Sequence, residues 1–342
     1  MHVSVRRRLD EQFDLEERRG RCLCPASAAD RRALGRVAVD VSDERGSSYL
    51  RSGREAPEYV MVFPRLYLRG SHWLSLQGHD LALHIIKALS AQHPDWVFCS
   101  TSAALLHGLD VPWELLDTIH ITCPSGGNPL HGDRLIRHAY PVGTLRYPKG
   151  VRTVEAREAV LECLCVNPFE LSLGIVDSFL RLHRSSTCGL EAYFDVMGKG
   201  RKGIARARTM LSYADARAEN GGESRARAVM IEEGYAPHEL QVPFPDPLDP
   251  LHVMRGDFGW LSGTGLAIVG ELDGREKYEN PLMMHGGSTT DVLREERLRE
   301  SRISAYGVRI MRFPFGYVTD RWKLVRLMQV YGVPRSEIPI IP

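Results

Sequence analysis

Apolar residues recur at helical spacing over 74–93, at Leu81, Leu83, Ile85, Ile86 and Leu89, and Pro94 ends that run. Similar spacing predicts helices over 25–39, capped at Ser27 or Asp30, and over 103–107 behind the cap cluster of Ser100, Thr101 and Ser102. A β-like start followed by an apolar helical face is predicted over 151–166, and further helices over 168–182, 224–233 (opened by Glu223), 292–306 and 322–331. Residues 1–20, dense in Arg, Glu and Asp, read as a loose helix or arm. Alternating or continuous apolar runs predict a β-type run over 59–70, broken at Pro64, and strands at 96–99, 117–123, 240–244 and 308–313. Pro243, Pro245, Pro247 and Pro250 predict a loop after Phe244.

The stretch 256–278, GDFGWLSGTGLAIVGELDGREKY, reads as a β-hairpin turning at 262–265. Its second strand is apolar until it reaches Glu271 and Asp273. Side chains two apart share a face of a strand, so these acids lie side by side, and Asp257 opens the neighbouring strand near the same end. Three carboxylates are expected to converge there. Like charges at close range call for a shared proton or a cation. Oxygen donors without a His or Cys cluster suit Mg²⁺ or Mn²⁺. Solvated strand-end acids are the plainer alternative.

The chain has 342 residues, enough for two or three domains, with 43% hydrophobic and 25% charged residues, the composition of a soluble globular protein. Net charge is +1, so nucleic-acid binding would depend on local basic faces. No stretch approaches about 18 uninterrupted apolar residues, which predicts no membrane span. Arg6, Arg7 and Arg8 lack a following apolar segment, so no signal peptide is expected. Seven cysteines at irregular spacing predict reduced thiols and a cytoplasmic setting. The hairpin about Pro64 is compatible with a winged helix-turn-helix in which Arg65 and Arg69 meet phosphates, or with a small packing hairpin. Lys199, Arg201, Lys202, Arg206 and Arg208 form the most basic segment, a solvated face or a DNA-backbone contact. His120 lies between Ile119 and Ile121 and reads as a structural residue rather than a ligand.

The motifs ESR (223–225), GDF (256–258), ELDGREKY (271–278), REERLR (294–299) and VRIMRF (308–313) resemble the very-short-patch-repair-like endonuclease domain of the PD-(D/E)xK nuclease superfamily. Upstream, PRLYLRG (64–70), SAALLHG (102–108) and GRKGIARAR (200–208) look like actinobacterial proteins that join this domain to a segment similar to AbiEi-type antitoxins, whose winged helix-turn-helix represses its own operon. The resemblance implies α/β architecture in three regions: a winged helix-turn-helix over 1–75, an antitoxin-like mixed α/β domain over 76–217, and a mixed-sheet, restriction-endonuclease-like core over 218–342. It implies that Asp257 and Glu271 ligate Mg²⁺ or Mn²⁺, and that Glu223 ligates or orients from the first helix. Asp273 stands where many superfamily members carry Lys; Lys277 would replace that Lys from the turn, and Asp273 would instead be a ligand. The implied activity is metal-dependent DNA endonuclease, in a defence, repair or toxin–antitoxin setting. The alternative is a DNA-binding transcriptional regulator with an inactive nuclease-like domain and a cognate toxin as partner.

Overall fold

The structure is a computed structural model that describes residues 3–40, 57–76, 78–123, 134–139, 142–262, 265–273 and 289–336. The fold is mixed α/β. Among the described residues no helix is long and apolar enough to cross a membrane. Packing divides the chain into two compact units, Met1–Ala159 and Val160–Pro342, where three regions were expected. The boundary falls inside one helix, α6 in the numbering below.

In the first unit, α1 (Val3–Arg18) and α2 (Ala28–Gly35) precede a sheet of β1 (Val39–Asp40), β2 (Tyr59–Phe63) and β3 (Leu66–Arg69), in that order. Ser27 caps α2, its Oγ accepting the Asp30 N–H at 2.9 Å. Leu9, Phe13, Leu34, Tyr59 and Tyr67 form the core between these helices and the hairpin. Helices α3 (Gly70–Ser75), α4 (Gly78–Gln92) and α5 (Ser100–Leu106) follow. The N-cap of α5 is Cys99, one residue ahead of the expected cluster; Ser100, Thr101 and Ser102 are buried inside the helix. The expected strand at 96–99 shrinks to isolated bridges at Phe98. Strands β4 (Ile119–Cys123) and β5 (Leu135–Ala139) pair in parallel, and this register brings His120 to His138, with Nδ1 to Nε2 at 2.9 Å. Burial, then the second imidazole, pushes His120 down to about 4, so His120 is neutral at pH 7. The short β6 (Leu145–Arg146) and β7 (Thr153–Val154) lead into α6 (Ala156–Val166).

The second unit continues with α7 (Phe169–His183), α8 (Thr187–Met197), α9 (Ile204–Leu211) and α10 (Gly221–Glu232). A buried ion pair fastens α7 to α10. Arg227 Nη2 donates to Asp177 Oδ2 at 2.6 Å, and Asp177 Oδ1 accepts the Asp215 N–H at 2.7 Å. Burial pushes the Asp177 carboxyl up, against the pull of Arg227. Then come β8 (Glu239–Asp246), β9 (Asp249–Ser262), β10 (Gly265–Asp273), α11 (Thr289–Ser304), β11 (Arg309–Pro314), α12 (Phe315–Thr319) and α13 (Arg321–Tyr331). The sheet order is β11-β10-β9-β8, with β10 parallel to β11 and the other pairs antiparallel.

The loop expected after Phe244 is strand. Pro243 and Pro245 lie within β8, and Pro250 within β9. β8 is an edge strand with one neighbour, where a missing N–H can face outward without breaking the ladder. One side of the sheet buries Val229, Phe258, Trp260, Ile268, Met311 and Phe313 with Ala226 of α10 and Leu324 and Met328 of α13. The other side buries Val242, Phe244, Met254 and Val269 against Ile303 of α11.

Gly256 lets β9 and β10 close: a Cβ there would lie 2.3 Å from Val269 Cγ1. Val269 is fully buried and stiff about χ1. Gly256→Ala is therefore expected to cost about 1–3 kcal/mol, read as a lower urea midpoint.

Candidate active site

The acids at the end of β10 are placed by three local devices. The first is the start of α10. Asn220 caps the helix, its Oδ1 accepting the Glu223 N–H at 3.0 Å. Glu223 folds back over the same turn: Oε2 accepts the Glu219 N–H at 2.9 Å, and Oε1 accepts from Asn220 Nδ2 at 2.6 Å. This is the reciprocal logic of a capping box. Gln241 of β8 adds a donor, Nε2 to Glu223 Oε2 at 3.1 Å. Even so, burial and then the neighbouring Asp257 charge push the Glu223 carboxyl up to about 7.

The second device is a face change in the strand pair β8–β9. In a regular strand Leu240 and Val242 would share a face. Here Leu240 packs on the α10 side and Val242 on the α11 side. Gln241 between them sits at φ 52, in the left-handed region that a non-glycine residue adopts at a cost. β9 makes the same crossing opposite it, with Met254 on the α11 side and Phe258 on the α10 side. Gln241 and Asp257 stand at this crossing. Asp257 Oδ2 accepts the Leu272 N–H at 2.8 Å, which fixes it beside the residue between Glu271 and Asp273.

The third device is a pair of arginines. Glu271 is 4% exposed. Arg299 of α11 lies with Nη1 3.1 Å from Oε1 and donates to Oε2 at 3.2 Å. Oε1 is buried and, among the described residues, accepts no hydrogen bond. Arg312 of β11, in register with Glu271, has Nε 3.9 Å from Oε2. Arg312 mainly holds Asp273, donating from Nε to Oδ1 at 2.9 Å and again from Nη2. Glu296 and Glu300 of α11 complete its surroundings at 3.2 and 3.6 Å.

Asp257, Glu271 and Asp273 thus meet at one sheet end, but they do not form the expected three-ligand cluster. Among the described residues their oxygens do not lie all within 4.8 Å of one another. The reason is Arg312, which draws Asp273 toward β11. Hard oxygen donors from Asp257 and Glu271, one of them a buried atom without a hydrogen bond, fit Mg²⁺ or Mn²⁺. Lys277 lies outside the described residues.

Arg65 is exposed at the turn of the β2–β3 hairpin, at φ 66. Arg69 is not free for phosphate: it donates to Glu17 Oε1 at 2.8 Å and to Asp14, tying β3 to α1. Lys199 and Lys202 are exposed in the turn between α8 and α9, and Arg201 is half-buried there. Sequence reasoning missed Gln241, Arg299 and Arg312. An arginine within the buried strand VRIMRF was a legible signal for Arg312, since an arginine is seldom buried without a partner; Gln241 carried none.

Two uncharacterized proteins of Mycobacterium tuberculosis, from strains H37Rv and CDC 1551 / Oshkosh, are each 32% identical to the chain over 200 residues. The match covers 55% of this chain and 66% of each relative. No family model matches the chain, and no solved structure matches it significantly.

The Glu223 shift makes a pH prediction. Its folded pKa of about 7 lies above the ordinary 4.5, so between these values the folded state holds a proton that the unfolded state has lost. Its contribution to stability therefore falls as pH rises through that window. Glu223→Gln should remove this slope. In urea melts with EDTA, the stability of Glu223→Gln relative to wild type is expected to rise by on the order of 3 kcal/mol between pH 4.5 and 8.

Proposed function

We propose that the acidic end of the sheet is the site of a metal-dependent DNA endonuclease. The observation that carries this reading is Glu271 Oε1, a buried carboxylate oxygen that accepts no hydrogen bond among the described residues, set near Asp257 where the strand pair changes face. The order α10, β8, β9, β10, α11, β11, with β10 parallel to β11, supports it, because it agrees with the endonuclease core that the motif resemblance implies.

Asp257 and Glu271 would hold Mg²⁺ or Mn²⁺. The cation would supply Lewis-acid stabilisation of the phosphodiester and a more acidic water. Glu223, with a pKa near neutrality, is suited to take the proton of the attacking water. Gln241 and Asn220 hold Glu223 in place for that step. Asp273 acts through Arg312, which fixes the strand carrying Glu271. The exposed Lys199 and Lys202 favour the second reading, a DNA-binding regulator with a cognate toxin and a nuclease-like domain that no longer cuts.

The test is cleavage of supercoiled plasmid and of single-stranded DNA by the full chain in Mg²⁺ or Mn²⁺. Wild type is expected to nick. Asp257→Ala and Glu271→Ala, folded by circular dichroism, are expected to lose at least about 100-fold in rate. Undiminished cleavage by both variants would sink the assignment. No cleavage, with duplex binding that weakens steeply in salt, would favour the regulator.

A further inference from the structure

We infer that Arg299 is the resident counter-cation of Glu271 and that a divalent cation must displace it, so that metal loading and release of Arg299 are one event. The inference rests on the metal-site reading above.

A carboxylate 4% exposed at the end of an apolar sheet calls for a positive partner. Arg299 is that partner: Nη1 lies 3.1 Å from Oε1 and 3.2 Å from Oε2, and Nη2 donates to the Arg255 carbonyl. Arg312 cannot take over this part. It is bound to Asp273 at 2.9 Å, with Glu296 and Glu300 at 3.2 and 3.6 Å, and only its Nε approaches Glu271, at 3.9 Å. Those partners hold Arg312 to β10 and α11 together. Arg299 has no carboxylate partner other than Glu271 among the described ion pairs, and its side chain is 34% exposed, which gives it a route to water. One turn along α11, Arg302 donates to Asp246 at 2.8 Å, so the helix stays fastened when Arg299 leaves.

Oε1 lies 3.1 Å from Arg299 Nη1 and accepts no hydrogen bond among the described residues, while Oε2 accepts one at 3.2 Å; Oε1 is the oxygen a cation would take. A divalent ion on Oε1 would face the guanidinium at close range in a partly buried site, where like charges repel strongly. Both cannot stay. The lock therefore weakens metal binding by the free energy of the Arg299–Glu271 pair, and it lets the sheet fold around Glu271 before any metal arrives.

The test is calorimetric titration of MnCl₂ into the full chain, with wild type, Arg299→Gln, Arg299→Lys and Glu271→Ala. Arg299→Gln is expected to bind Mn²⁺ about tenfold tighter than wild type, equivalent to about 1.4 kcal/mol. Arg299→Lys keeps the charge but loses the planar fork, so it should bind about threefold tighter than wild type. It decides the matter if the Gln variant fails to fold. Glu271→Ala should abolish the binding. Wild-type binding that depends on Glu271, with no tightening in either Arg299 variant, overturns the lock and leaves the metal site standing. Absence of Glu271-dependent Mn²⁺ binding in every protein overturns both.

Discussion

Negative charge buried at the end of an apolar sheet is the constraint on which the C-terminal unit depends. Glu271 and Glu223 are both nearly inaccessible, and Asp257 and Asp273 flank them. Amide N–H groups meet two of these carboxyls and arginines meet the other two. Glu223 has the N–H groups of its own helix start and Gln241, Asp257 has the Leu272 N–H, Glu271 has Arg299, and Asp273 has Arg312. An ion pair so placed adds little net stability over an apolar pair of the same shape, because desolvation offsets most of its attraction.

The surrounding architecture serves to hold these groups against one another. β10 runs parallel to β11 through the crossover helix α11, so the same helix that covers one face of the sheet delivers Arg299 and Glu296 to its end. α10 covers the other face and delivers Glu223. The face change at Gln241 and Asp257 puts both side chains at the junction of the two faces, at the cost of a left-handed residue in an edge strand. Behind α10, the Asp177–Arg227 pair fixes the helix from the side away from the sheet; removing either partner alone would strand a buried charge.

Much of this was legible in the sequence, for identifiable reasons. Elements with a strong period emerged close to their observed bounds, as in 168–182 against Phe169–His183 and 308–313 against Arg309–Pro314. The acids were legible because Glu271 and Asp273 interrupt an apolar strand. The length of β8 was not, because proline reads as a breaker until the strand is known to lie at an edge. The arginine partners were hidden by long-range pairing: Arg299 lies 28 positions from Glu271, and no local pattern joins them. Asn220 was visible as the first residue of an Asn-x-x-Glu cap, yet the helix start was set instead at Glu223, three residues inside it. Arg69 illustrates the opposite error, since an arginine in a basic hairpin invites a phosphate while its carboxylate partners, Asp14 and Glu17, lie more than fifty positions away.

If Asp257 and Glu271 hold a divalent cation, as proposed, anomalous scattering locates the ion directly. Crystals of the full chain soaked in MnCl₂ are expected to show one anomalous peak beside Glu271 Oε1 and an Asp257 oxygen, with Arg299 swung away. A peak at other residues, or none at this sheet end at saturating Mn²⁺, would contradict the account.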